Sequence, residues 1–342
     1  MTAPQPNVAQ IPSDAEWLAH RYDPGHDAFH FVRLPRAAHD RATFLTDEFI
    51  SGHDKPVVIR REEAFYAASL AAPVHLILHS AYCCSTLLAR AFDIPGVSMG
   101  LKEPVVLNDI IGWRHRGAQG AEAARVLDHS LRMLERPFQP GEAVVIKPSN
   151  LINPLAPAML SLRPAAKALL LYAPLDIYLG SIARKGMWGR LWVRDLLTKL
   201  IREAMVNFGM GTEDYLKLTD IQVAAIGWLA QHAQFAALAE KFGDRIVTLN
   251  SETLTARPTE ALRALTHHFG LRVSEQTLGE IAAGPIFTRH SKTGSDFQLD
   301  QRQTEQSNGL SIHAEEIEMV TKWAETLAAN ACVKMELPAS LL

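Results

Sequence analysis

The stretch "HLILHSAYCCSTLLAR", residues 75–90, decides how the rest of the chain is read. Val74, Leu76, Ile77 and Leu78 form a short apolar run of the kind that fills a strand buried on both faces, and Pro73 punctuates its start. Leu87, Leu88 and Ala91 recur at helical spacing, so a helix follows, with Ser85 and Thr86 placed to cap or open it. A turn of small and polar residues joins the two. A strand, a turn and a helix start in that order offer unpaired amides and a partial positive charge, which suits an anion. A plain capped turn would use the same residues, so this stretch alone leaves both readings open.

Beyond it, short apolar runs recur at 96–100, 143–147, 167–172 and 245–250, mostly separated by helical patterns at 121–136, 176–184, 190–207, 213–242 and 258–269. A last helix is predicted over 313–331. The alternation predicts an α/β fold with a central parallel sheet of about five strands flanked by helices in three layers. Residues 1–70, rich in Pro, His and Asp, read as a small prefix packed on the main body, and 71–342 as the α/β domain, with a helical insert at about 186–242. In the prefix, His26 and His30 have the spacing of one helical face. Pro24 and Gly25 argue against a helix there, and no acid or cysteine completes a metal set. No internal repeat is evident.

At 342 residues, 48% hydrophobic and 21% charged, the composition is that of an ordinary globular protein. With 34 basic against 37 acidic residues and net charge −3, no basic field points to nucleic acid. Adjacent Cys83 and Cys84 and distant Cys332 make neither a disulfide framework nor a metal-ligand pattern, so a reducing cytoplasm is expected. A thiolate near a helix start is activated, but no base accompanies these two, and small loop-filling residues are the simpler reading. The N-terminus has no basic and apolar leader, and no apolar run is long enough to span a bilayer, so neither export nor membrane insertion is expected.

In an open parallel sheet, ligands bind past the carboxyl ends of the strands. There stand Ser80 to Thr86, then Lys102 with Glu103, then Lys147, Ser149 and Asn150, then Asp176 and Ser181, with Arg184 and Lys185 behind. Late in the chain, "FTRHSKTGSDF" adds Arg289, His290, Ser291, Lys292 and Gly294. Singly these are surface pairs, strand-end lysines and a solvated loop. Converging on one rim, they suit a ligand with several negative charges.

In this order the motifs, over roughly residues 74–300, resemble the sulfotransferase family. "HSAYCCSTLLAR" looks like its loop for the 5′-phosphosulfate of the donor, 3′-phosphoadenylyl sulfate (PAPS), in a P-loop-like fold. Ser181 in "APLDIYLGSI" matches a serine for the 3′-phosphate, and "RHSKTGSDF" is similar to the closing Arg/Lys and Gly loop. "RIVTLNSETLTARPTEALRALTHHFGL" is similar to the family's strand, acidic turn and helix, with Glu252 at the acidic position. The resemblance implies sulfuryl transfer from PAPS to a hydroxyl or amine, leaving 3′,5′-ADP, without a metal. It places Ser80, Tyr82, Cys83, Cys84, Ser85, Thr86, Ser181, Arg289, Ser291, Lys292 and Gly294 at the donor. Glu103 becomes the general base with His79 in reserve, and Lys147, supplemented by Lys102, meets the sulfuryl or bridging oxygen. Two departures stand out: residues 79–82 carry no cation, and Ala173 replaces the arginine that usually ends the fourth strand.

Two alternatives stand beside this reading, the first of them suggested by those departures. One is a catalytically idle relative that binds a nucleotide or a partner. The other is a phosphotransferase of similar topology, against which stands the missing G-x-x-x-x-G-K-[ST] pattern. Trp188, Trp192 and the helices of 190–242 would wall the acceptor pocket, although core packing accounts for the same pattern. The acceptor, a small molecule or glycan, is not readable from the sequence, and a homodimer is left open.

Overall fold

The structure, a computed structural model, describes residues 7–50, 55–68, 71–288 and 313–342. Strands β1 (Trp17–Asp23), β2 (Ala28–Arg33) and β3 (Val57–Arg60) form an antiparallel sheet in that order. Strands β4 (Val74–His79), β5 (Ser98–Lys102), β6 (Ala143–Lys147), β7 (Ala168–Tyr172) and β8 (Ile246–Asn250) form the second sheet, ordered β5-β6-β4-β7-β8. This is the predicted α/β architecture: a five-stranded parallel sheet flanked by helices. All six residues of β4 and all five of both β5 and β6 are buried, as near-continuous apolar runs require.

The chain divides into two compact units. The first holds residues 1–77, 86–167 and 269–273, so the prefix shares a unit with β5 and β6. Arg136 shows how. Its fully buried guanidinium donates to the carbonyls of Met133, Ile11, Asp14 and Trp17 at 2.6–3.1 Å, and burial, only partly offset by the Asp14 carboxylate, pushes its pKa down to about 10. Three of these four carbonyls belong to the prefix, so the guanidinium fixes its backbone. Arg21 adds a bidentate grip on Asp109 at 2.7 and 2.9 Å.

The second unit holds 78–85, 168–268 and 274–342. Between β7 and β8 it carries the helices Leu175–Arg184, Gly186–Arg202, Thr212–Leu216 and Asp220–Phe242. The last of these is buried along most of its length, at Ile221, from Val223 to His232, and again at Phe235, Leu238 and Ala239.

Several boundaries differ from the sequence reading, each for a local reason. The second strand of the parallel sheet starts at Ser98, because Gly96, at φ +81°, completes a turn first. Lys102 is therefore the last strand residue and no longer follows the strand. The single helix expected over 213–242 is two, since Thr219 caps the longer one and forms a reciprocal capping box with Gln222. The helix expected over 190–207 runs from Gly186 to Arg202, and Ala204 then turns left-handed at φ +53°. His26 lies in the β1-β2 hairpin, bonded to Asp23, and His30 lies in β2, so they share no helix.

Candidate functional site

In the first unit, Lys102 and Lys147 are register partners at the carboxyl ends of neighbouring parallel strands, and each is only 1% exposed. Two buried ammonium groups so placed would repel, and the structure sends them to different partners. Lys102 donates to the carbonyls of His39 and Asp40 at 2.7 and 3.0 Å, at the end of the helix Arg36–Arg41. Burial, reinforced by the nearby Arg90, pushes its pKa down to about 8. Lys147 instead forms an ion pair with Glu103 Oε1 and lies 5.2 Å from the centroid of the Phe44 ring. Cation, carboxylate and ring together compensate the charge that burial would otherwise penalise.

Glu103 itself is strained into the left-handed region, at φ +54°, and its amide donates to Lys147 O at 2.7 Å. That backbone bond and the twist aim its carboxylate back at Lys147. The Glu103 side chain is 20% exposed, and Oε2 has no partner among the described residues, so one oxygen is held and the other is left for a proton. Ser149 caps the turn that follows, accepting from the Leu151 amide at 3.4 Å, and Asn150 is buried beside it.

In the second unit, the turn after β4 is held open by backbone that its residues rarely adopt. Ala81, Tyr82 and Cys84 have φ of +71°, +53° and +62°. Left-handed backbone at three non-glycine residues costs about 1–2 kcal/mol each and persists only when the surroundings enforce it. The surroundings are visible. The Ser80 amide donates to Leu171 O at 3.1 Å, and the Ala81 amide donates to His79 Nδ1 at 3.1 Å. His79 therefore presents Nδ1 to its own turn and carries its proton on Nε2 when neutral, a tautomer suited to bracing the loop. Its Nδ1 is not open to receive an acceptor's proton.

Tyr82 packs edge-on against Tyr178 and Trp192, with ring centroids at 6.0 and 5.5 Å. Cys83 is buried and Cys84 half-buried. Ser85 opens the helix Ser85–Ala91, with Thr86 behind it, and both are buried. Ser181 Oγ donates to Ile177 O at 2.9 Å and accepts from Arg184 at 3.4 Å, so this hydroxyl already has a cation beside it. Ala173 is fully buried, and its carbonyl accepts from Trp228 Nε1 at 2.9 Å. Trp188 is 61% exposed, while Trp192 on the same helix is half-buried. Arg289, Ser291, Lys292 and Gly294 lie outside the described residues.

The structure thus joins Glu103 to Lys147 and Ser181 to Arg184, and it gives Lys102 and His79 partners in the backbone. Sequence reasoning missed Phe44 and Tyr178. Nothing in the prefix sequence marks Phe44 as the cover of a lysine about a hundred positions later. Tyr178 had a signal, since it lies three residues before Ser181 and so on the same side of a helix.

No protein-family model matches the sequence, and no curated protein matches it. Among solved structures, the chain is similar to the sulfotransferase domain from the curacin biosynthetic pathway, at 15% identity over 79% of this chain and 99% of that one, with a TM-score of 0.40. It is similar to sulfotransferase STF9 from Mycobacterium avium at 12% identity, over 71% of this chain and 77% of that one, with a TM-score of 0.42. The sulfotransferase domain of the Synechococcus PCC 7002 olefin synthase is similar at 14% identity, over 72% of this chain and 96% of that one, with a TM-score of 0.42.

Proposed function

We propose that this protein is a sulfotransferase, moving a sulfuryl group from PAPS to a hydroxyl or amine of an acceptor. The observation that carries the reading is the left-handed backbone at Ala81, Tyr82 and Cys84, in the segment whose sequence resembles a phosphosulfate loop. Strain of this kind collects where a ligand needs a backbone shape that the sequence would not choose.

In the proposed reaction the acceptor oxygen or nitrogen attacks sulfur and forms the new bond. The bond from sulfur to the bridging oxygen breaks, its electron pair leaves on 3′,5′-ADP, and the acceptor proton goes to Glu103 Oε2. Glu103 is preferred over His79 because its second oxygen has no partner among the described residues, whereas His79 Nδ1 is occupied by the Ala81 amide. Lys147 sets the orientation of the Glu103 carboxylate and is the cation assigned to the charge that builds on the bridging oxygen. Lys102, tied to two carbonyls, is read as a brace. Ser80 to Thr86 are assigned to the 5′-phosphosulfate, and Ser181 with Arg184 to the 3′-phosphate.

A second reading rests on Ala173. With no cationic side chain there, a protein that binds the nucleotide without transferring the group has the same turn. A transfer screen with ³⁵S-labelled PAPS over phenols, alcohols, amines and glycans, paired with calorimetry against 3′,5′-ADP, separates the two. Labelled product supports the enzyme. Tight 3′,5′-ADP binding with no product on any acceptor supports the idle binder, and preference for ATP with Mg²⁺ would replace both by a phosphotransferase.

A further inference from the structure

Tyr178 stands on the helix Leu175–Arg184 with its ring against Tyr82 of the strained turn. The side chain is fully buried, and its hydroxyl has no hydrogen-bond partner among the described residues. Ser80, which opens the same turn, is also fully buried, with an Oγ that has no partner among the described residues either. Buried hydroxyls are ordinarily satisfied, and each exception asks for an explanation. Phenylalanine and alanine would fill the same two places without an orphaned donor.

The same turn has no cation among residues 79–82. From the turn itself an anion held there can draw only on neutral donors, and a hydrogen bond to an ionised acceptor is about twice as strong as one between neutral groups. Both phenols at the turn keep their protons. Burial pushes Tyr82 up to about 12, and burial with the neighbouring Tyr82 pushes Tyr178 further above the ordinary tyrosine range.

We propose that Tyr178 Oη and Ser80 Oγ are the donors that hold the 5′-oxyanion of the sulfuryl donor, in place of the missing loop cation. The proposal rests on the sulfotransferase reading and adds to it a residue that the sequence did not single out.

The test measures the affinities of PAPS, 3′,5′-ADP and adenosine 3′-phosphate by calorimetry for the full chain, for Tyr178→Phe and for Ser80→Ala. Adenosine 3′-phosphate lacks the 5′ group and reports any general damage to the nucleotide site. Expected is a loss of about ten- to hundredfold in affinity for PAPS and 3′,5′-ADP in each variant, from one lost hydrogen bond to a charged group. Affinity for adenosine 3′-phosphate stays unchanged, and the melting temperature of Tyr178→Phe is at or above that of the parent. If the parent binds PAPS and both variants bind it equally well, the two hydroxyls are packing or water sites and the proposal falls, while the sulfotransferase reading stands. An equal loss for adenosine 3′-phosphate also overturns it, by making Tyr178 structural. Failure of the parent to bind any of the three removes the reading and the proposal together. Should Tyr178→Phe melt early, Ser80→Ala carries the test alone, with selective loss supporting the proposal and unchanged affinity overturning it.

Discussion

Lys102 and Lys147 show how far a residue-level reading of a sequence reaches. Both were singled out as cations past a strand end, and both end a strand side by side. Their chemistry then separates, because it depends on what the prefix brings to them: two carbonyls for Lys102, and the Phe44 ring beside Glu103 for Lys147. No spacing rule reports that difference. It leads to a contrast between two variants. Glu103→Gln keeps an oxygen for Lys147 and removes the base, so transfer from labelled PAPS is expected to fall by about 10²–10⁴-fold. Donor affinity stays near the parent value, and stability drops by about 1–3 kcal/mol as the buried ammonium loses its counterion. Lys102→Met is expected to lower the melting temperature and leave the rate per folded molecule close to the parent's. Single-turnover kinetics beside thermal melts reads both, and parent-like turnover in Glu103→Gln would end the role given to that carboxylate.

At the scale of elements, the alternation of strands and helices was legible because buried parallel strands leave near-continuous apolar runs. The split of the 213–242 helix was missed, although the sequence carries its signal in the capping pair of Thr219 and Gln222. The shape of the turn at 80–84 was not legible, since Ala, Tyr and Cys have no preference for left-handed backbone and only tertiary contacts impose it. Close packing within the first unit was equally hidden. A Cβ built on Gly100 of β5 would lie 2.5 Å from the carbonyl oxygen of Ala89, in the helix that carries Ser85 and Thr86. Helix and strand approach each other here only because position 100 has no side chain. Gly100→Ala must push the helix away, and a destabilisation of about 1–3 kcal/mol is expected, with weaker 3′,5′-ADP binding alongside. Gly120→Ala, at a helix start where an added Cβ meets nothing within 4 Å, is the control and should melt at or above the parent temperature. Parent-like melting of Gly100→Ala in a scanning calorimeter would refute the packing argument.

For the molecule as a whole, the sequence showed the parallel sheet but not that the prefix shares a unit with β5 and β6. The acceptors that Arg136 finds in the prefix are 119 to 125 positions away. Charge balance at this scale has a consequence for acid stability. Among the imidazoles that each unit buries are His39 in the first, edge-on to Phe138 with neither ring nitrogen partnered among the described residues, and His232 in the second, stacked on Trp228 and bonded to Met335 O. Burial is the main cause that pushes His39 down to about 3 and His232 down to about 4. Both values lie below the 6.5 of an unfolded histidine, so between pH 6.5 and about 4 the unfolded chain binds more protons than the folded one. Stability is therefore complete above pH 6.5 and is lost as the pH falls through that window. Carboxylates contribute their own loss lower in the range, so the informative quantity is a difference between proteins. His39→Leu, which removes an imidazole without removing a hydrogen bond, should melt at or above the parent temperature at pH 7.5. Its advantage should widen steadily toward pH 4.5, by an amount approaching one proton's worth of slope. Melting curves in parallel buffers at matched ionic strength measure it, and a gap that stays constant across the window would show that His39 is not kept neutral in the folded state.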